Sequence, residues 1–231
     1  MVKLFKILLR TPGEIIWMLI SHYPGELGIF LRYRYMKRRL KYLGEKVIID
    51  TGVCFQNPEL ISIGDNCWID KNVIILAGMD QSNREKVLTK NTHYPGAPGE
   101  VFIGKNVHIG PFCILSGISA GIYISDECGL SAHSKIYSFS HHYRSKKEPA
   151  NRSFHFGPMV GHDRQCLVEG PIYLEKNTGV ALNSVILPGV FIGHDSFVTI
   201  NSVVYKRNFG SNAIISGSPA KKIGERFKAN A

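Results

Sequence analysis

An aliphatic residue recurs at every sixth position along most of this chain, and a residue no larger than valine follows each one four places later. A six-residue period is typical of β-solenoids, in which short strands wind into stacked coils. In such a coil the aliphatic residue points inward and stacks on its copy in the next coil, while the small residue fits a crowded corner. No single strand can bury its apolar side alone, so many coils must stack before the core is stable.

The period breaks twice, at residues 78–99 and 142–170. Long loops in a compact domain are usually functional, and insertions in a solenoid often lie on its binding side. The aliphatic positions are Ile63, Ile69, Ile103, Ile109, Leu115, Ile124, Leu130, Ile136, Leu174, Val180, Ile186, Ile192 and Val198. Their small partners are Cys67, Val73, Val107, Cys113, Ser119, Cys128, Ser134, Ser140, Thr178, Ser184, Val190, Ser196 and Ser202.

The repeat predicts a mainly β chain: a parallel β-helix with N-terminal helices, two looped-out insertions and a short C-terminal helix. Residues 1–46 are the helical segment, 47–207 the solenoid with both insertions, and 208–231 the tail. The chain has 231 residues, of which 44% are hydrophobic and 10% aromatic. It is therefore long and apolar enough to bury a sizeable core.

The N-terminal segment is strongly basic. Residues 1–46 carry ten basic and three acidic side chains, a net charge of +7, against +10 for the whole chain. Pro24 suits a helix start and Gly44 a helix end, which predicts a second helix from about Glu26 to Leu43. A basic helix with aromatic residues is typical of a membrane surface element, whereas a solenoid needs its open end covered. Both interpretations, a cap and a peripheral membrane contact, stay open and are compatible. No nucleic-acid-binding motif accompanies the charge, so no nucleic-acid partner is expected.

The cysteines and the lengths of the apolar runs indicate the cellular compartment in which the protein is expected. Cys67, Cys113 and Cys128 occupy small-residue positions of the repeat, where they are expected to act as small core hydrophobes. The chain has five cysteines and no Cys-x-x-Cys pair, which fits a reducing cytoplasm. No apolar run reaches the roughly 18–20 residues of a membrane span, and Arg10 interrupts the apolar N-terminus, which does not favour a secretory signal. We therefore expect a cytoplasmic protein, with peripheral contact at the inner face of the cytoplasmic membrane as the further option.

Two motifs lie in the C-terminal part of the chain. One is the run from Asn183 to Gly193, which contains Leu-Pro-Gly-Val, and the other reads Gly-Ser-Pro-Ala-Lys from Gly217 to Lys221. Together with the hexads, they resemble the hexapeptide-repeat acyltransferases, especially the galactoside, maltose and polysaccharide O-acetyltransferases. The resemblance covers about residues 47–226. It implies a left-handed parallel β-helix with triangular coils, acetyl-CoA as co-substrate, no metal, and a homotrimer with active sites between neighbouring subunits.

Acyl transfer to a sugar hydroxyl needs a base, because the hydroxyl must lose its proton as the new bond forms. Histidine suits this role because its pKa lies near neutral pH. His141 closes a hexad directly before the second insertion, which predicts an outward position at a coil corner. The family has its catalytic histidine at this place, so the resemblance implies His141 as general base, with the adjacent His142 as the alternative. The family's oxyanion donor, a backbone N–H on the coil after the loop, corresponds to Leu182.

The arm of CoA follows the corners of the C-terminal coils in this family. The matching positions here are Ala181, Leu182, Thr199, Ile200, Lys206 and Lys221. The two lysines would meet CoA phosphates, although each alone is equally well interpreted as a solvated surface lysine. Gly179 stands where many relatives have tryptophan, so the CoA groove is expected to differ in detail.

The resemblance implies acetyl transfer from acetyl-CoA to a saccharide hydroxyl, in a precursor of surface polysaccharide, O-antigen or capsule that is lipid-linked or nucleotide-activated. An N-acetyltransferase acting on an amino sugar is the close alternative. A zinc enzyme like the γ-carbonic anhydrases is less favoured, because it needs three histidines around one metal and His108, His133 and His141 do not share one hexad position. A non-catalytic solenoid would leave the Pro-Ala-Lys motif unexplained.

Overall fold

The computed structural model describes residues 13–205 and 208–228. Lys206 and the beginning of the N-terminal helical segment lie outside these residues. In chain order the elements are α1 (13–21), α2 (Gly25–Met36), β1 (Tyr42–Leu43), β2 (Ile48–Ile49), β3 (Cys54–Gln56), β4 (Ile61–Ile63), β5 (Trp68–Ile69), β6 (Ile74–Leu76), β7 (Glu85–Leu88), β8 (Val101–Ile103), β9 (His108–Ile109), β10 (Ile114–Ser116), β11 (Ile122–Ile124), β12 (Gly129–Leu130), β13 (Lys135–Tyr137), β14 (Phe139–His142), β15 (Cys166–Glu169), β16 (Ile172–Leu174), β17 (Gly179–Val180), β18 (Val185–Ile186), β19 (Phe191–Ile192), β20 (Phe197–Val198), β21 (Val203–Val204), β22 (Asn208–Phe209), β23 (Ala213–Gly217) and β24 (Ala220–Glu225).

Most strands belong to three parallel sheets. Sheet 1 has the order β1-β4-β8-β11-β16-β19-β22, sheet 2 the order β2-β5-β9-β12-β17-β20-β23, and sheet 3 the order β3-β6-β10-β13-β18-β21. The chain takes one strand from each sheet in turn, so each coil is a triangle. The fold is the left-handed parallel β-helix that the sequence predicts.

The core consists of the inward aliphatic residues of successive coils, stacked in register. Along sheet 1, Ile63, Ile103, Ile124, Leu174 and Ile192 each pair with the next in this order, and each is 0% exposed. Because all three sheets are built in this way, the hexad of the sequence is the physical repeat of the core.

The small residues lie at buried corners where a larger side chain would meet the neighbouring coil. Ser184 is fully buried, and its hydroxyl donates to the Thr199 carbonyl at 2.8 Å. Cys128 is also buried, which raises the pKa of its thiol to about 12. Neutral thiols and hydroxyls therefore fill equivalent positions of the repeat, as the sequence predicts for its cysteines.

Many corners turn through a residue in the left-handed region of backbone space, where asparagine is the most tolerant residue after glycine. Asn183 and Asn201 both have φ of 56°. The Asn183 side-chain amide donates to Asn201 Oδ1 at 2.8 Å, so neighbouring corners are also joined by side chains.

The N-terminal helices cover the first coil, and the second helix is shorter than predicted. It begins after Pro24, as expected, but ends at Met36 instead of Leu43. Leu43 is 2% exposed and belongs to β1, which pairs with β4, so the solenoid begins at Tyr42 rather than at residue 47. The burial of Leu43 in the first coil outweighs its helix propensity.

A buried arginine holds these helices on the solenoid. Arg32 is 0% exposed, and its guanidinium donates to the carbonyls of Ile49 at 2.8 Å, Tyr23 at 2.6 Å and Ile20 at 3.1 Å. One residue therefore connects β2, α1 and the turn between the helices. Burial lowers the pKa of Arg32, and the charge of Asp50 opposes this shift.

The two insertions and the tail contain strands that the sequence does not predict. β14, β15 and β7 form a small fourth sheet in which β15 pairs antiparallel with β14 and parallel with β7. In the tail, β24 pairs antiparallel with β23 and continues to Glu225. The sequence predicts a short helix after Ile223, and this is wrong for Gly224 and Glu225, which belong to the strand. Among the described residues, no helix is long and apolar enough to cross a membrane.

Truncating one inward residue should cost far more stability than truncating its outward neighbour. Leu115 is 0% exposed, whereas Ile114 on the same strand points out of the solenoid and is only partly buried. We expect Leu115→Ala to lower the free energy of unfolding by about 2–5 kcal/mol, because it leaves a cavity in a close-packed core. Ile114→Ala should cost less than about half as much. Urea unfolding of both variants measures the difference, and equal losses would contradict this description of the core.

Candidate active site

Both candidate histidines lie on β14, outside the coils. The sequence places His141 at a coil corner, but the chain leaves the solenoid at Ser138, whose backbone N–H still donates to the Ser116 carbonyl at 2.9 Å. Ser140, the last small partner in this run, is only partly buried. The expected corner position is therefore wrong, because β14 pairs with β15 in the fourth sheet instead of continuing the coil.

His141 packs among aromatic rings and keeps one nitrogen without a partner. Its ring meets Phe139 edge-on at a centroid distance of 6.5 Å and Phe156 at 5.8 Å. Its Nε2 is buried and has no hydrogen-bond partner among the described residues. A buried polar atom without a partner is costly, so this nitrogen is available for a hydrogen bond to a group that enters the cavity.

His142, the next residue of β14, makes contacts of its own. Its Nδ1 lies 2.7 Å from the Arg144 carbonyl, and its ring stacks on Tyr143 at 4.3 Å. A protonated Nδ1 donates to this carbonyl, whereas an unprotonated Nδ1 accepts from the Arg144 N–H at 3.3 Å, so these contacts fit either tautomer. The geometry of the two rings therefore does not decide which histidine is the base.

Both histidines line a cavity of about 300 Å³ between the fourth sheet and the solenoid. The opposite wall is Leu187, Pro188 and Tyr205, at the corner where sheet 3 passes to sheet 1. The Leu-Pro-Gly-Val motif thus lies directly against the candidate base. The first insertion contributes Val87 and the second contributes Lys146.

Sequence reasoning did not identify Val87, Lys146 or Phe156 as neighbours of the candidate histidines. None belongs to the hexad pattern. β7 pairs with β15 across about 80 positions, as in Glu85 with Cys166, and β15 pairs with β14, as in Leu167 with His141. No local signal in the sequence reports such a pairing.

Glu85 fastens the second insertion to the first. Its carboxylate accepts hydrogen bonds from the Ser145 hydroxyl at 2.6 Å and from the amides of Lys146 at 2.7 Å and Lys147 at 3.0 Å. Burial raises the pKa of Glu85, but these hydrogen bonds outweigh it and hold the pKa below its usual value. The loop directly after β14 is therefore held by one carboxylate.

A network of charged residues lies on the same small sheet. Arg84 donates to Asp80 at 2.9 Å and to the Gln165 side chain at 2.8 Å. Lys86 lies 3.3 Å from a carboxylate oxygen of Glu169, whose side chain is only 7% exposed. Since Asp80, Arg84 and Lys86 come from the first insertion and Gln165 and Glu169 from the second, the network fixes the two insertions to each other.

The residues predicted to meet CoA lie at another corner, where sheet 2 passes to sheet 3. Leu182 is 51% exposed and Ile200 60%, which gives this corner an open apolar surface. The N–H of Leu182 donates no backbone hydrogen bond among the described residues, so it is free for a ligand. Ala181 is buried, and the Thr199 hydroxyl is bound to Ser202 and Ser216.

Of the two lysines predicted to meet CoA phosphates, only one lies within the described residues. Lys221 is exposed on β24, whereas Lys206 lies outside the described residues. Gly179 lies beside this corner, and a Cβ on it would come within 2.7 Å of the Phe197 ring. Phe197 therefore covers the place that a larger side chain at position 179 would take.

The candidate base and the candidate oxyanion donor lie at opposite ends of the sheet 3 strands. Leu182 precedes β18, while Leu187, which lines the cavity together with His141, follows it. Of the residues expected to meet CoA, none of the described ones lines the histidine cavity. One chain therefore does not bring the two halves of the predicted site together.

A metal site does not emerge from the described part of the chain. Within residues 13–205 and 208–228, no group of three or more His, Cys, Asp or Glu side chains is close enough to hold an ion. His108 instead packs on Trp68 at a centroid distance of 4.9 Å, and His133 stacks on Phe112 at 5.0 Å.

The chain is similar in sequence to known acyltransferases, although no family model matches it. The dTDP-4-amino-4,6-dideoxy-D-glucose acyltransferase of Escherichia coli is 26% identical over 188 residues, which cover 81% of this chain and 83% of the relative. WbbJ of Escherichia coli K12, whose proposed activity is O-acetyl transfer in lipopolysaccharide biosynthesis, is 26% identical over 54% of this chain and 60% of its own length.

Among solved structures, a mutant of AntD, an N-acyltransferase from Bacillus cereus crystallised with dTDP and coenzyme A, has the same fold. The TM-score is 0.67 at 24% identity, over 90% of this chain and 92% of that one. The homologues of the chain are hexapeptide-repeat acyltransferases, as the motifs of the sequence predict.

Removing the charge of Glu85 should loosen the loop that follows the candidate histidines. In Glu85→Gln we expect the protection of the Lys146 and Lys147 amides from hydrogen exchange to fall by roughly tenfold, because hydrogen bonds to a charged acceptor are lost. A carboxyl with a depressed pKa stabilises above its unfolded value near 4.3 and loses that effect as the pH falls through its folded value. Below about pH 4, the wild type should therefore approach the variant.

The matched control is Glu148→Gln, which removes an exposed carboxylate from the same loop. It should leave the protection of both amides unchanged. Equal protection in wild type and Glu85→Gln at pH 7 would contradict the proposed role of Glu85.

Proposed function

We propose that this chain transfers an acyl group from coenzyme A to a saccharide, with His141 as general base. The observation that carries the proposal is a buried imidazole nitrogen without a partner, in a cavity against the Leu-Pro-Gly-Val coil of a β-helix whose homologues are acyltransferases. His142 is the alternative base, because it lines the same cavity as His141.

The chemistry follows from these groups. Acetyl-CoA supplies the acyl group as an activated thioester. The histidine Nε2 takes the proton of the acceptor hydroxyl while the hydroxyl oxygen attacks the thioester carbonyl. The Leu182 N–H stabilises the oxyanion of the tetrahedral intermediate. As the intermediate collapses, the C–S bond breaks and the imidazolium gives its proton to the leaving thiolate. The histidine is then neutral again and ready for the next cycle.

The corner between sheets 2 and 3 fits the CoA arm. Its exposed Leu182 and Ile200 offer apolar contact to the pantetheine chain, and Lys221 supplies a positive charge for a phosphate. Lys206 belongs to the same proposal from the sequence, and Ala181 and Thr199 form the floor of the corner.

The proposed site is shared between two copies of the chain. His141 and Leu182 lie near opposite ends of the sheet 3 strands, which supports a site where the base of one copy meets the oxyanion donor of another. A closed ring of identical subunits satisfies this for every site at once. We therefore propose a homotrimer with its active sites between subunits, as the family resemblance implies.

The acceptor is proposed to be a hydroxyl of a surface-polysaccharide precursor, in line with the similarity to WbbJ. A hydroxyl needs a base more than an amine does, and the chain places two histidines in the cavity. The second candidate is the amine of a nucleotide-activated amino sugar. It is favoured by the similarity to the dTDP-amino-sugar acyltransferase, which extends over 81% of this chain.

The first test is thiol release from acetyl-CoA with two acceptor sets, saccharide hydroxyls and dTDP-4-amino-4,6-dideoxyglucose. We expect acceptor-dependent release that falls by about 10²–10⁴-fold in His141→Ala, the usual contribution of a general base. His142→Ala is the matched neighbour and should lose less than about tenfold.

Each other outcome changes the proposal in a defined way. Release that survives in His141→Ala and disappears in His142→Ala moves the base by one residue. Release with the amino sugar alone selects the amine acceptor. A chain that does not bind CoA in calorimetry is not an acyltransferase of this kind.

Mixed oligomers test whether the site is shared between copies. His141→Ala lacks the base, and Leu182→Pro lacks the N–H donor, so each alone should be inactive. Co-expressed in equal amounts, they should recover about one quarter of the wild-type activity, because a site is complete when both contributing subunits carry the intact residue. Ile200→Asp, which obstructs the CoA corner, replaces Leu182→Pro if the proline variant does not fold. Mixed oligomers without activity would show that each site lies within one chain.

A further inference from the structure

The outer faces of the N-terminal helices form an apolar surface that the solenoid does not cover. Six large apolar side chains of α1 and α2 are 48–64% exposed: Ile15, Ile16, Met18, Leu19, Leu27 and Phe30. Single exposed apolar residues are ordinary on proteins, but a cluster within sixteen residues marks a surface that meets a partner.

The inner faces of the same helices already account for their attachment to the fold. Trp17 stacks on Tyr35 at 5.4 Å and meets Phe55 of the first coil at 6.4 Å. Arg32 and Met36 are buried on the solenoid side of α2. The exposed apolar side chains are therefore not needed to cover the end of the core.

Basic side chains continue the apolar row of α2. Leu27, Phe30 and Arg34 follow one another at spacings of three and four, so they lie on one face of the helix. Arg34 and Arg38 are exposed, and within the described part of the chain neither forms an ion pair. The sequence of residues 1–12 adds three basic residues and no acidic one.

The combination of exposed apolar side chains and exposed arginines favours one kind of partner for this face. A second copy on this face would set arginines opposite arginines around a two-fold axis, which is unfavourable. A bilayer with anionic lipids instead takes up the apolar side chains between its headgroups and attracts the arginines at its surface. We propose that the outer faces of α1 and α2 bind the surface of an anionic membrane.

The inference goes beyond acyl transfer and does not depend on it, because lipid binding is measured without a substrate. Full-length protein is sedimented with vesicles of phosphatidylcholine containing 30% phosphatidylglycerol, and with vesicles of phosphatidylcholine alone. We expect binding to the anionic vesicles that falls steeply with added salt.

Two double variants separate the two contributions. Arg34→Gln with Arg38→Gln should weaken binding to the anionic vesicles by roughly 25-fold, at about fivefold for each charge near the surface. Leu27→Ser with Phe30→Ser should weaken it by more than about tenfold, because less apolar surface is buried. The matched control, Lys222→Gln with Lys228→Gln, removes the same charge at the opposite end of the solenoid and should bind as the wild type does.

Three results would overturn the proposal. One is failure of the wild type to bind anionic vesicles. Another is equal weakening by the control pair, which would mean that net charge alone drives adsorption. The third is a change of oligomeric mass in Leu27→Ser with Phe30→Ser, measured by sedimentation equilibrium, which would assign the face to a second copy. Circular dichroism and melting confirm that each variant is folded before its binding is compared.

Discussion

The in-register stacking of one aliphatic side chain per strand is the constraint on which the rest of this molecule depends. Each inward residue, such as Ile124 between Ile103 and Leu174, is buried only because a copy lies on both sides of it. A coil without neighbours would expose its apolar side, so the stack must be continuous and closed at its ends. The helical cap, the Arg32 anchor and the β23–β24 hairpin all lie where the stack would otherwise end.

The candidate site arises where this regularity is abandoned. After Ser138 the chain leaves the coil, and a small sheet built from both insertions holds the two histidines over the corner that contains Leu187. The solenoid supplies a rigid wall, and Glu85, Arg84 and Lys86 fix the insertions to each other. Rigid support of a catalytic group outside the repeat is what a positioned base requires, because small displacements reduce its effect strongly.

The hexad was enough to predict the fold. Its six-residue period, and the small residue four places after each aliphatic one, both follow directly from how the coils stack. The same reasoning failed at the ends of elements. α2 ends at Met36 because burying Leu43 in the first coil outweighs helix propensity, and residues 220–225 form a strand because β23 offers them an edge to pair with. Both results depend on tertiary partners, which a local pattern does not contain.

The candidate site could be predicted only in part. His141 and His142 stand out because they end a run of hexads, whereas Leu182 is implied by the family resemblance alone. The position of His141 on β14 comes from its pairing with Leu167 of β15, and β15 in turn pairs with β7 of the first insertion, about 80 positions away. Such pairing leaves no periodic trace, so the side chains that surround the candidate base could only be found in the structure.

The geometry of the stack also relates the proposed membrane surface to the proposed site. Sheet 3 begins with β3 in the first coil, and β13, which leads into the histidines, is three strands further along. At about 4.8 Å between strands, this is roughly 14 Å along the solenoid, to which a covering helix adds about 10 Å. If the cap rests on a bilayer, the base stands well above the lipid headgroups. An acceptor that stays in the membrane must then reach the site with a glycan that extends several sugars from its anchor, whereas a free nucleotide sugar needs no such length.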